Sequence, residues 1–65
     1  MPATFDLELR RVLRRAGCYS CARARGSHEI WYGPITNRRF VLPAAIVSRH
    51  TANGVLKDAG LPKAF

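Results

Sequence analysis

A chain of 65 residues has room for one domain with a thin core, which excludes a deep substrate cavity and places any activity on a surface or in a shallow groove. Its formal net charge is +7, and of its eleven basic residues all but Lys57 and Lys63 are arginine. Guanidinium forks match phosphate oxygens in pairs and stack on bases, so a phosphate-rich partner is the leading reading, ahead of charge that only maintains solubility or meets an acidic protein.

Between Thr4 and Ala16, Phe5, Leu9, Val12, Leu13 and Ala16 recur at helical spacing, which predicts an amphipathic helix. Acids open it, arginines close it and Gly17 stands at the position of a left-handed cap, all in the sense the helix dipole and backbone sterics favour. Three extended segments are expected next, Cys18 to Ala24, His28 to Tyr32 and Arg38 to Leu42, separated by Arg25-Gly26-Ser27 and by a turn through Gly33-Pro34. Along the second segment, alternation puts His28, Ile30 and Tyr32 on one face and Glu29 and Trp31 on the other. Pro43 ends the third segment. Ser48 is the expected N-cap of a second helix from Arg49 to about Ala59, stopped by Gly60, with Ala52, Val55, Leu56 and Ala59 turned to the sheet. Gly54 weakens that helix, so close packing or a kink is expected there. The predicted fold is a single α+β domain over residues 1–65 of order α-β-β-β-α, a three-stranded antiparallel sheet with two helices on one face and the opposite face open. This layout resembles the double-stranded-RNA-binding domain (dsRBD), which reads A-form helices by shape, 2′-hydroxyls and phosphates.

No apolar run is long enough to cross a bilayer, no basic-then-apolar leader pattern opens the chain, and the cysteines Cys18 and Cys21 are too few for a disulfide framework. Together these predict a soluble, cytoplasmic protein without membrane contact.

The stretches Leu13-Arg14-Arg15-Ala16-Gly17 and Arg25-Gly26-Ser27-His28 are similar to the opening half of the HicA toxins, also called the YcfA-like family. Arg39-Phe40-Val41-Leu42-Pro43 resembles that family's last strand and proline, and the run from Thr51 to Leu61 resembles its closing helix. The chain departs from the pattern after Pro43, where many members carry a histidine and this one has Ala44-Ala45-Ile46, its next histidine being His50. The resemblance implies a dsRBD-like fold and the toxin of a type II toxin–antitoxin pair. It further implies an mRNA-cleaving enzyme held inactive by a HicB antitoxin, with the histidine of the Gly-Ser-His run, here His28, as the catalytic residue.

The chemistry suits that implication. RNA carries its own nucleophile, so cleavage needs a base for the 2′-hydroxyl proton, an acid for the leaving 5′-oxygen and positive charge around the transition state. Imidazole, with an unperturbed pKa near 6.5, exists in both forms at neutral pH. Arg23, Arg25, Arg38 and Arg39 are the expected sources of charge, and Gly26 and Ser27 the expected approach for a phosphate, although glycine and serine are also ordinary turn residues. No metal or small-molecule cofactor is required.

Several features have rival readings. His50, in the first turn of the second helix, is a possible second proton donor or an ordinary solvated residue. Cys18 and Cys21 have the gap of a zinc knuckle that His28 and His50 would complete, against two plain reduced thiols. Of Tyr19, Trp31, Tyr32 and Phe40, most are expected in the core, and only an aromatic on the open face qualifies as a base-stacking platform or antitoxin anchor. Arg10, Arg11, Arg14 and Arg15 form a basic edge for RNA phosphates, for acidic antitoxin residues or for solvent alone. The alternative to a nuclease is a relative of the same fold that binds RNA or its antitoxin without cutting.

Overall fold

The computed structural model describes residues 4–23 and 28–65. Its elements follow the predicted order: α1 (Asp6–Arg15), β1 (Tyr19–Arg23), β2 (Glu29–Gly33), β3 (Arg38–Leu42) and α2 (Arg49–Asp58). The sheet is antiparallel with β2 in the centre. Both helices lay their apolar stripes on one face of it: Leu9 and Leu13 from α1, and Ala52, Val55 and Leu56 from α2, share a core with Trp31, Phe40, Leu42 and Ile46.

Both helices end as their sequences require. Gly17 and Gly60 take φ of 91° and 82°, the left-handed region that an L side chain resists. At Gly60 space is short as well, since a Cβ there would stand 2.8 Å from the Cγ2 atoms of Ile35 and Thr36. Ser48 caps α2, its side chain accepting from the His50 amide at 3.2 Å. The start of α1 is tied down differently: the Phe5 amide donates to the Ile46 carbonyl at 2.8 Å, and Asp6 Oδ1 accepts from the Ile46 amide at 2.9 Å. This clasp binds the first helix to the segment after β3.

The structure adjusts several expected boundaries. The first helix opens at Asp6 rather than Thr4 and ends at Arg15. Cys18 is not in β1 but is buried in the core, 3% exposed, and Ala24 lies outside the described residues. His28 precedes β2 instead of opening it, and the strand runs on to Gly33. A register shift between Ser20 and Ala22 leaves Cys21 as an extra residue in β1, a bulge that the alternation argument did not anticipate. The expectation of close packing at Gly54 is overturned, because nothing stands within 4 Å of where its Cβ would be.

Gly54→Ala should therefore raise stability by roughly 0.5–1 kcal/mol by restoring helix propensity, whereas Gly60→Ala should lower it by at least about 1 kcal/mol. Urea denaturation of the two variants beside the wild type checks both signs.

Candidate active site

The two faces of the sheet differ in chemistry because β2 alternates. Trp31 and Gly33 are buried beneath the helices with Phe40 and Leu42 of β3, while Ile30, Tyr32, Arg39 and Val41 belong to the opposite face. Among the described residues no helix covers that second face. His28, which is exposed, immediately precedes the first residue of β2.

Around His28 the expected arginines separate into two groups. Arg23, exposed at the end of β1, lies opposite Glu29 and so at the His28 end of the sheet. Arg38 and Arg39 are exposed but pair with Gly33 and Tyr32, four or more residues further along β2. At about 3.3 Å per residue this is roughly 13 Å or more of chain from His28, so these two arginines stand toward the other end of the sheet from Arg23. Arg25, Gly26 and Ser27 lie outside the described residues.

Sequence reasoning missed the contact just inside this end of the sheet. Arg10 of α1 forms a two-pronged salt bridge with Glu29, one arm at 3.3 Å, and the Trp31 indole N–H donates to Glu29 Oε1 at 3.2 Å. Arg10 and Arg14 both stand over the Trp31 ring, 5.7 and 5.9 Å from its centroid. The Arg10 hydrogen bond, partly opposed by desolvation, holds the Glu29 carboxyl below the usual carboxylate range and raises the guanidinium in turn. The signals were present in the sequence: Arg10 and Arg14 are one helical turn apart, and Glu29 and Trp31 share a strand face.

His50 is exposed and lines a groove on the outer side of α2 with Arg49, Asn53, Lys57 and Lys63. None of the residues at the start of β2 belongs to that groove. The zinc-knuckle reading loses its geometry, since Cys18 is in the core while Cys21 is exposed on the bulge. Burial pushes the Cys18 thiol up, as suits an inert packing residue. Among the described residues no three His, Cys, Asp or Glu side chains stand together as a metal site would require, and no helix is long and apolar enough to cross a membrane.

Residues 8–61 match the family model described as HicA toxin of bacterial toxin-antitoxin, a span that takes in most of α1, all three strands and α2. No curated protein and no solved structure matches the chain significantly.

Because the folded state depresses the Glu29 pKa, the Arg10–Glu29 pair stabilises the fold above the unfolded carboxyl value of about 4.3 and loses that effect as pH falls through the lower folded value. Glu29→Gln should cost roughly 1 kcal/mol at neutral pH, the pair being partly exposed. The difference from wild type should shrink below about pH 4, as thermal melts across that range will show.

Proposed function

Since the chain belongs to the HicA toxin family, the toxin side of toxin–antitoxin pairs, we propose that it is a cytoplasmic, metal-independent endoribonuclease that cuts mRNA through His28 and is silenced by a HicB-like antitoxin laid over its basic surface. The observation that carries this reading is an exposed imidazole immediately before the central strand, within the span that matches the family and at the end of the sheet where Arg23 closes β1.

The chemistry needs few groups. Neutral His28 takes the proton of a ribose 2′-hydroxyl as that oxygen attacks the adjacent phosphorus. The P–O5′ bond breaks, and the imidazolium returns the proton to the departing 5′-oxygen, leaving a 2′,3′-cyclic phosphate and a 5′-hydroxyl. Arg23 supports the negative charge on the phosphorane-like transition state, with Arg25, Gly26 and Ser27 as the companion groups that approach the phosphate. Arg38 and Arg39, toward the other end of the sheet, add positive charge for the RNA phosphates around the scissile one. His50, exposed in the first turn of α2, is the candidate second proton donor.

His28→Ala should lower the rate on single-stranded RNA by at least about a hundredfold while leaving RNA affinity within a few-fold of wild type, and EDTA should leave the wild-type rate unchanged. Affinity should fall steeply with salt as phosphate contacts release counterions. Pure wild-type protein that binds RNA without ever cutting it would instead identify a non-catalytic binder of the same fold. Loss of activity with EDTA would defeat the metal-independent mechanism.

A further inference from the structure

The open face of the sheet carries an aromatic pair that the cleavage mechanism does not use. Tyr19 and Tyr32 are partners across β1 and β2, with ring centroids 5.4 Å apart and planes tilted by 40°. Tyr19 is 55% exposed, as is half of Val41 on the same face. Arg39 lies opposite Tyr32 on the other neighbouring strand. The Tyr32 hydroxyl is held by Asn37 Oδ1, an asparagine fixed in the left-handed region at φ 58° in the turn before β3, so the ring is oriented from beneath and beside.

Charge decides what such a face suits. Of the four acids in the chain, Asp6 and Glu8 are on α1, Asp58 is on α2 and Glu29 is bound to Arg10 on the covered side of the sheet. The open face therefore sets an exposed ring, a half-buried ring and a guanidinium together, with no carboxylate among its described residues. Aromatic faces accept any base, and an adjacent arginine neutralises the backbone or stacks in its turn. Tyr32 lies four positions beyond His28, about 13 Å of extended chain. At roughly 3.4 Å per stacked nucleotide this is spanned by some four nucleotides, and by fewer when the strand is stretched.

We propose that Tyr19 and Tyr32, flanked by Arg39, form a base-stacking subsite for single-stranded RNA, which holds a nucleotide a few positions away from the phosphate presented to His28. This subsite rests on the nuclease reading for its biological meaning but not for its test. The probe is a fluorescent 2′-O-methyl oligonucleotide of about eight nucleotides, within the site size of single-strand-binding folds. It lacks the attacking hydroxyl and is not cleaved. Anisotropy titrations should show Tyr19→Thr, which retains strand propensity, binding about tenfold more weakly, with Tyr19→Phe within twofold of wild type. On an abasic oligonucleotide of the same length, Tyr19→Thr and wild type should bind equally. Arg39→Gln should weaken both probes and lower the salt slope by about one.

An equal loss on the abasic probe, or no loss on either, overturns stacking. A Tyr19→Thr variant that binds the oligonucleotide normally but releases a HicB-like antitoxin overturns it in favour of a protein-docking face. His28→Ala should retain the affinity and its dependence on Tyr19, so the failure of His28 to affect cleavage would remove the catalytic reading and leave the subsite standing.

Discussion

The indole of Trp31 is the constraint from which the rest of the molecule follows. It is the largest of the fully buried side chains, and in so thin a core its N–H must find an acceptor without access to water. Glu29, two residues away on the same strand face, is that acceptor, but a carboxylate at the core margin needs a counter-charge. Arg10 supplies it from α1, and Arg14 joins Arg10 over the ring. One buried aromatic thus fixes the register of the first helix against the central strand. The same network holds the residue next to His28 in place, which gives a small protein a rigid footing beneath an exposed imidazole.

A chain this short fills only one layer. Its buried aliphatic side chains, with Trp31 and Phe40, go to the helix-covered side of the sheet, and too few remain to cover the other. The open face is consequently a result of size as much as of function: it is made of tyrosines, an isoleucine, a valine and an arginine that tolerate water on one side. In a family of toxins that act beside an antitoxin partner, such a face offers a broad, shallow surface in place of a cavity. Arg23 on the one hand and Arg38 and Arg39 on the other stand toward opposite ends of the sheet, which spreads positive charge along the strands.

Much of this was legible in the chain because it depends on local rules. The Leu9 and Leu13 stripe, the glycines after each helix, the Ser48 cap and the alternation through Ile30, Trp31 and Tyr32 each express a period or a backbone preference that a few neighbouring residues determine. Where reading failed, the cause was non-local. The bulge at Cys21 reflects how β1 fits against β2, and the burial of Cys18 reflects how the chain turns from α1 into the sheet. The open surroundings of Gly54 were invisible for a similar reason, since helical sequence does not tell which neighbours lie beyond its outer face. Arg10 read as one more member of a basic edge, because its partner is nineteen residues away.

The sequence by itself determined the element order, the two-faced sheet, the resemblance to the HicA toxins and His28 as the residue to watch, since hydrophobic period, turn chemistry and a short run of residue types are all properties of adjacent positions. Only the tertiary structure decided which arginines share an end of the sheet with that histidine, which aromatics are buried and which stand open to a partner, and that Arg10 serves the core. Those are matters of strand register and helix docking, and both are set by packing between residues far apart in the chain.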